Sequence, residues 1–216
     1  MSNPKIPISG CIIAQDEEKY IEKAILNMTP HVGELVVIDG GSKDKTIDIA
    51  TKLGCKVVEN KFDFDFSKQR NFAHTKCRYD WILWLDVDEY FSDTFYSLLP
   101  ALVTATPDTC AGYQIFRKSI FDGEERGIDY QWRLVNKVFS TWTGKIHEGI
   151  QFNAGYTGFK VPKEYFMTHE HTMKRQLFNN ALYYNVNNDI KARPENNKGM
   201  EYHEDKWIEV ETDRNG

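Results

Sequence analysis

Residues 81–89 read Trp-Ile-Leu-Trp-Leu-Asp-Val-Asp-Glu, an apolar run that passes directly into an acidic segment. A short apolar run of this kind predicts a strand that is buried on both faces, as in a parallel sheet. Asp86 and Asp88 then follow the strand at its carboxyl end, where open α/β sheets bind ligands. Two carboxylates this close repel each other unless a cation lies between them, and oxygen ligands favour Mg²⁺ or Mn²⁺. The segment predicts a metal site, with a solvated acidic loop as the alternative.

The chain before residue 81 alternates between strand-like and helix-like patterns. Apolar runs predict strands at 8–14, 34–39 and 56–59, and helical periodicity predicts helices at 20–28, 44–53 and 66–77. Strands separated by single helices are typical of βαβ units and of a mostly parallel sheet. The predicted fold class is therefore α/β, with a Rossmann-like central sheet flanked by helices.

Asp39 ends the second of these strands and is followed by Gly40-Gly41-Ser42. In a parallel sheet its carboxyl end lies at the same edge as that of the strand before Asp86. A carboxylate at this point can accept hydrogen bonds from a base or a ribose hydroxyl, and Gly41 would let a ligand approach the backbone. The alternative is an Asx-type turn, in which the Asp39 side chain bonds the backbone that follows it.

The pattern changes after residue 90. We expect a helix at 95–103 that is kinked or split at Pro100, a strand at 112–118, and strand-like fragments, including 132–135, in the aromatic-rich stretch 120–162. A helix is predicted at 174–190. The polar end of the chain is expected to be a loose tail or a partner-dependent helix.

Glu148 lies beside His147 in a short polar break, and an acid there could act as a general base toward a hydroxyl. His147 could orient a phosphate or the base. Asp129, in the same variable region, is a second candidate base, as are His169 and His171. A surface turn is the alternative for Glu148.

Arg70 near the start of a helix could pair with a phosphate or with an acid of the site. His169 and His171 alternate along an extended segment, so both should lie on one face. One of them could complete a metal site, and the alternative is a pair of ordinary core or surface histidines. For Arg70 the alternative is an exposed helical arginine.

Composition limits the classes of protein. The 216 residues suit one α/β domain with a short appendage. A net charge of −5 without a basic block does not indicate nucleic-acid binding. No apolar run approaches the ~20 residues that span a bilayer, and no signal peptide is evident. Scattered cysteines without a CxxC pair predict reduced thiols. We expect a cytoplasmic protein, peripheral at a membrane only through its acceptor.

Four segments in order resemble glycosyltransferase family 2, which has the GT-A fold. They are 12–18 (Ile-Ile-Ala-Gln-Asp-Glu-Glu), 37–46 (Val-Ile-Asp-Gly-Gly-Ser-Lys-Asp-Lys-Thr), Arg70-Asn71 and 81–89. Farther on, Arg133-Leu134 followed by Ile146-His147-Glu148 resembles the bacterial and phage branch related to lipopolysaccharide-core glucosyltransferases. Gln15 stands where family members usually carry Asn.

This resemblance implies a hexosyl transfer from a nucleotide-diphosphate sugar, a UDP-sugar in the first instance, to a glycan, lipid-linked or protein acceptor, with inversion. It implies that Asp39 lies near the base, Asp86 near the ribose, and Asp88 on the Mn²⁺ or Mg²⁺ that bridges the diphosphate. Residues 1–110 would bind the nucleotide-sugar, 111–190 would form the catalytic acceptor side, and 191–216 a polar tail. Glu148 is the expected base by its position.

Two other functions compete with this one. A sugar-nucleotidyltransferase would need a Gly-rich basic loop after the first strand, whereas residues 15–18 are Gln-Asp-Glu-Glu and would repel a triphosphate. A catalytically silent GT-A module that binds a glycan or a partner would keep the core while its metal carboxylates could drift. The intact Asp39, Asp86 and Asp88 argue against that second possibility.

Overall fold

The computed structural model of the chain describes residues 6–188, 200–203 and 206–209. Its strands are β1 (Ile6–Ala14), β2 (Val32–Asp39), β3 (Lys56–Glu59), β4 (Trp81–Trp84), β5 (Glu89–Phe91), β6 (Cys110–Phe121), β7 (Glu124–Asn136), β8 (Ser140–Thr143), β9 (Gly149–Phe152), β10 (Thr157–Lys160), β11 (Phe166–His171), β12 (Met200–His203) and β13 (Lys206–Glu209). Its helices are α1 (Ile21–Met28), α2 (Thr46–Lys52), α3 (Phe66–Lys76), α4 (Asp93–Thr104) and α5 (Met173–Asn187).

Within the described residues, nine strands form one sheet in the order β3-β2-β1-β4-β7-β6-β11-β5, with β10 also paired to β6. The strands β3, β2, β1 and β4 are mutually parallel, as the βαβ pattern of the first half predicts. β7 is antiparallel to β4 and to β6, while β10 and β11 run parallel to β6. β5 closes the edge antiparallel to β11. The predicted α/β class, a mostly parallel sheet with a mixed second part, is confirmed.

The parallel strands β1, β2 and β4 are mostly apolar because both faces of the sheet are covered. On β1, Ile8 and Ile12 belong to the core cluster on the side of α1 and α4, whereas Cys11 packs with Trp84 and Ala73 of α3 on the other side. All five are completely buried. This two-sided burial explains why these strands are continuous apolar runs in the sequence.

The register of the sheet brings the strand ends to one edge. Ala14 at the end of β1 is paired with Asp39 at the end of β2. Leu85 donates its backbone N–H to the carbonyl of Cys11 at 3.1 Å, so Asp86 follows β4 at the same edge. The predicted placement of Asp39 and Asp86 on a common edge is confirmed.

Several predicted details change. α4 runs through Pro100 without a break, so the helix is not split there. The predicted helix 174–190 is α5, which Thr172 caps by accepting from the N–H of Arg175. Most of the predicted tail 191–216 lies outside the described residues, and its described parts, β12 and β13, form an antiparallel pair.

No described helix has the length and apolar character to cross a membrane.

Candidate active site

A cleft of about 470 Å³ lies at the carboxyl edge of the parallel strands. Six of the residues singled out from the sequence line it together: Arg70, Asp86, Asp88, His147, Glu148 and His169. They come from α3, from the segment after β4, from the loop between β8 and β9, and from β11. The fold therefore gathers on one surface residues that are far apart in the chain.

Asp86 is held between two arginines. Arg70 Nη2 donates to its Oδ1 at 3.1 Å, and Arg133 Nη2 donates to its Oδ2 at 2.7 Å. Burial alone would raise the pKa of Asp86, but the charges of Arg133 and Arg70 outweigh burial and lower that pKa well below its usual range. The carboxylate keeps a third of its surface exposed to the cleft. The predicted contacts of Asp86 with a ribose or a metal ion stay predictions.

Glu89, the last acid of the segment, faces inward instead. It is 1% exposed, and Arg133 grips it through two hydrogen bonds, Nε–Oε2 at 2.8 Å and Nη2–Oε1 at 2.7 Å. Arg117 approaches its Oε1 at 3.4 Å. Removing both charges from water is unfavourable unless the pair is well bonded, and this pair is. Glu89 and Arg133 therefore form a buried support beneath Asp86.

Glu148 is fixed by Arg70, whose Nε donates to Oε1 at 2.6 Å. The Arg70 guanidinium also lies 4.8 Å from the ring centre of Trp84 and 4.9 Å from that of Trp142. Burial alone would lower the pKa of Arg70, but the charges of Glu148 and Asp86 raise it, so the arginine stays charged. Arg70 thus links an acid of the strand end to the predicted base.

Asp88 meets a different set of partners. Its Oδ2 accepts from Arg175 Nε at 2.5 Å and lies 3.3 Å from His169 Nε2. Arg175 also grips Glu17 in the loop after β1 through bonds of 2.9 and 3.1 Å. Burial alone would raise the pKa of Asp88, but the hydrogen bond from His169 and the charge of Arg175 lower it. The cationic guanidinium of Arg175 is therefore bonded to the same oxygen of Asp88 that faces His169.

His169 and His171 lie on one face of β11, as their alternation predicts, and their rings stack with centres 4.4 Å apart. Nδ1 of His171 is buried without a hydrogen-bond partner in the described part of the chain. Within residues 6–188 and the two short C-terminal strands, no group of three or more His, Cys, Asp or Glu side chains could hold a metal ion alone. A metal bound by protein and substrate together stays a prediction for Asp86, Asp88, His169 and His171.

Asp39 is completely buried and is turned onto its own loop. Its Oδ2 accepts from the backbone N–H of Gly41 at 2.8 Å and of Ser42 at 2.9 Å, and its Oδ1 accepts from the Ser42 hydroxyl at 2.5 Å. Gly41 has a φ of +102°, which favours glycine. This is the geometry of the Asx-type turn that was the alternative for Asp39, and its contact with a base stays a prediction.

Asp129, the second candidate base, is held by Arg117. The two arginine nitrogens donate to its two oxygens at 2.8 and 2.7 Å, and Gln131 adds a third bond at 2.7 Å. Burial alone would raise the pKa of Asp129, but these bonds lower it. Arg117 and Gln131 line the cleft. Among the two carboxylates, Glu148 is the one whose own side chain forms part of the wall.

Helix α5 forms the remaining wall of the cleft through Arg175, Gln176, Phe178, Leu182 and Tyr183. Burial, with the charges of Asp86 and Glu148, raises the pKa of Tyr183 to about 12, so its hydroxyl stays protonated near neutral pH.

Sequence reasoning assigned no role to Arg175 or Arg117, and it used Arg133 only as part of a family resemblance. Arg133 carries a detectable signal, because an arginine within the apolar run 132–135 requires a buried countercharge. Arg175 carries no such signal in the sequence, because its neighbours along the predicted helix are like those of any solvated arginine. Its role depends on where α5 lies.

Comparison with known sequences gives a consistent result. A sequence model described as "Glycosyl transferase family 2" matches residues 9–175. An uncharacterized glycosyltransferase of Rickettsia bellii (strain RML369-C) is 32% identical over 156 residues, which cover 68% of this chain and 53% of that protein. The lipopolysaccharide core biosynthesis glycosyltransferase LpsC of Rhizobium meliloti (strain 1021) is 28% identical over 162 residues, covering 68% of this chain and 58% of LpsC. The chain thus spans little more than half the length of these two relatives.

Among solved structures, the chain resembles glucosyl-3-phosphoglycerate synthase from Mycobacterium tuberculosis in complex with Mn²⁺, uridine-diphosphate and phosphoglyceric acid. The TM-score is 0.55 at 15% sequence identity, and the match covers 90% of this chain and 81% of the other. A likeness at this identity shows a shared fold.

Proposed function

Because the chain belongs to glycosyltransferase family 2, we propose that it transfers a sugar from a nucleotide-diphosphate sugar to an acceptor hydroxyl. The predicted family, its bacterial branch and the GT-A fold are confirmed. The observation that carries the proposal is the joint placement of Arg70, Asp86, Asp88, Glu148 and His169 in one cleft at the carboxyl edge of the sheet. This is the edge at which α/β sheets bind nucleotides.

The proposed reaction needs a base on the acceptor side. The acceptor oxygen bonds to the anomeric carbon while its proton passes to Glu148, and the bond from that carbon to the diphosphate oxygen breaks with its electron pair leaving on the diphosphate. A direct attack of this kind inverts the anomeric carbon. The position of Glu148 in the cleft wall, in an ion pair of 2.6 Å with Arg70, supports its choice over Asp129.

Asp88 and His169 fit a divalent cation as two of its ligands, because a carboxylate oxygen and an imidazole nitrogen already lie 3.3 Å apart on the cleft surface. This mixed pair favours Mn²⁺ over Mg²⁺, which prefers oxygen ligands. When bound, such an ion would offset the negative charge of the diphosphate. Arg175 now provides the positive charge beside Asp88, and it would have to share this carboxylate with the metal.

A UDP-sugar is the first sugar donor to test, since the mycobacterial protein of the same fold was solved with Mn²⁺ and uridine-diphosphate. We infer a hexose as the transferred sugar and a glycan, a lipid-linked sugar or a protein as the acceptor. A cytoplasmic location follows as part of the same proposal.

The test is release of nucleotide diphosphate by the purified chain from a panel of nucleotide-sugars, with and without Mn²⁺. Glu148→Gln nearly keeps the shape of the side chain, so we expect kcat to fall by about 10²–10⁴-fold while sugar-donor affinity is spared. The matched control is Glu124→Gln, which removes an acid from an exposed pair with Arg126 and should leave kcat unchanged. Glu148→Gln retaining more than about a third of the kcat, far above the general-base range, would exclude Glu148 as the base.

A silent binding module predicts a different outcome for the wild-type chain. A ligand that binds only the folded state raises its melting temperature, so nucleotide-sugars would stabilise the chain without any release of nucleotide diphosphate. Stabilisation together with Mn²⁺-dependent release would exclude the silent module.

A further inference from the structure

The loop between β8 and β9 carries Glu148 but contains unusual backbone. Gly144 has a φ of +91° and His147 a φ of +49°, a left-handed conformation that is uncommon outside glycine. The loop is docked on α3 at two points. Phe66 donates its backbone N–H to the carbonyl of Lys145 at 2.8 Å, and Arg70 donates to the Glu148 carboxylate at 2.6 Å. The second contact is the one that orients the side chain of Glu148.

Arg70 is itself held on several sides. It is 4% exposed, it bonds Asp86 at 3.1 Å, and its guanidinium packs against the rings of both Trp84 and Trp142, which contact each other edge-on. Charge-assisted hydrogen bonds and cation–π contacts are both strengthened when water is excluded. Trp142 is in turn bonded to Asn71 of α3. The side-chain amide of Asn71 donates to the backbone carbonyl of Trp142, and the side-chain oxygen of Asn71 accepts from the backbone N–H of Trp142, both at 2.9 Å. The guanidinium therefore has little freedom to turn.

We propose that Arg70 is the positioning residue for Glu148, and that Asp86 serves this reaction by holding Arg70 in addition to any contact with substrate. The inference rests on the function proposed above. Asp86 and the two tryptophan rings fix the guanidinium, and the guanidinium fixes the carboxylate that receives the acceptor proton. The strand end and the catalytic loop, 62 positions apart in the chain, then act as one unit through a single arginine.

A direct contact with the diphosphate is the competing role for Arg70. Its Nε and Nη2 are both engaged by carboxylates, and its Nη1 is buried with no hydrogen-bond partner in the described part of the chain. Nη1 would have to make the whole contact with a phosphate. The two roles differ in what they affect, since a positioning residue acts on kcat through Glu148 and a phosphate ligand acts on sugar-donor affinity by itself.

A double-mutant cycle separates these roles. Arg70→Gln, Glu148→Gln and the double variant are compared for kcat and KM at saturating Mn²⁺, each assayed below its melting transition. We expect Arg70→Gln to lower kcat at least tenfold with KM for the sugar donor within threefold of wild type. In the Glu148→Gln background, Arg70→Gln should lower kcat less than threefold, because the group that Arg70 positions has already lost its basicity. Arg70→Lys, which keeps the charge but not the two-pronged geometry, should recover part of kcat.

The proposal would be overturned if the losses in kcat of the two single variants multiply in the double variant. It would also be overturned if Arg70→Gln raises KM for the sugar donor tenfold in the Glu148→Gln background. Arg126→Gln, which breaks an exposed arginine–glutamate pair of 2.8 Å on the β6–β7 hairpin, is the matched control and should change neither constant.

Amide hydrogen exchange tests the positioning without substrate. In Arg70→Gln, the amides of 144–149 should exchange at least tenfold faster than in the wild type. In Arg70→Lys the increase in their exchange rate should be smaller. In both variants the amides of β1 and β2 should keep their wild-type protection. Unchanged exchange of 144–149 in Arg70→Gln would overturn the proposal whatever the activity. Absence of turnover in the wild-type chain, with the expected change in exchange, would count against the proposed glycosyl transfer and leave the role of Arg70 in ordering the loop supported.

Discussion

Arg133→Met tests the buried ion network beneath the cleft. Arg133 is 4% exposed, Glu89 is 1% exposed, and the two are joined by bonds of 2.8 and 2.7 Å. Methionine fills a similar volume, so the main effect is that Glu89 loses its principal countercharge. Breaking such a pair costs about 3–5 kcal/mol because one buried charge is left uncompensated. Arg117 remains 3.4 Å from Glu89, which places the expected loss near the lower end of that range.

Urea unfolding of the two proteins, followed by circular dichroism, measures this loss. A decrease of about 3 kcal/mol corresponds to a fall in Tm of roughly 6–12 °C for a chain of this size. If the penalty is an uncompensated charge, Glu89→Gln in the Arg133→Met background should recover at least half of it. A loss below ~1 kcal/mol, or no recovery with Glu89→Gln, would refute this account of the network. Arg126→Met on the exposed hairpin should change stability by less than about 0.5 kcal/mol.

The same pair of proteins should differ in pH dependence. Burial alone would raise the pKa of Asp86, but Arg133 and Arg70 lower it in the folded state. Stability from its ionised form is therefore fully present above the unfolded pKa of about 3.9 and is lost as the pH falls through the lowered folded pKa. Arg133→Met weakens this contribution, so the difference in unfolding free energy should be largest near neutral pH and should narrow below about pH 4. A difference that is constant from pH 7 to pH 3 would contradict the assignment.

Three further outcomes are expected. Asp88→Asn should abolish turnover and remove the Mn²⁺ dependence of nucleotide-diphosphate binding while the circular dichroism spectrum is kept; turnover close to wild type would exclude Asp88 as a metal ligand. Arg175→Gln should increase the affinity for Mn²⁺ severalfold in calorimetry with nucleotide diphosphate present, because Arg175 Nε donates to Asp88 Oδ2 at 2.5 Å and competes with the ion for this oxygen; unchanged or weaker binding would argue against that competition. Asp39→Ala should weaken sugar-donor binding by about 1–3 kcal/mol, and unchanged affinity by calorimetry would leave Asp39 with the turn alone.

Much of the first half could be predicted because its signals are local. The apolar runs of β1, β2 and β4 report burial on both faces, and a polar residue at the edge of the sheet lies at or within two residues of each strand's end. Whether the helix is kinked or split at Pro100 was left open, since a pattern that includes proline does not say whether the neighbouring turns are held by packing; α4 is not split. The role of Asp39 was left open for a related reason, because an acid before two glycines can face a ligand or bond its own turn.

The amino-acid sequence by itself determined the order of strands and helices in the first half, the acidic edge after β4 and the family. These depend on residues close together in the chain, or on motifs in a fixed order. Only the tertiary structure decided which charges meet. Arg70 reaches Glu148 across 78 positions, and Arg175 reaches Glu17 across 158. An ion pair forms only where two side chains come within about 4 Å, and that distance depends on how α3, α5 and the loop between β8 and β9 pack around the sheet. The folded chain thus turns a row of acids into two arginine-held centres, one at Asp86 and Glu148, the other at Asp88 and His169.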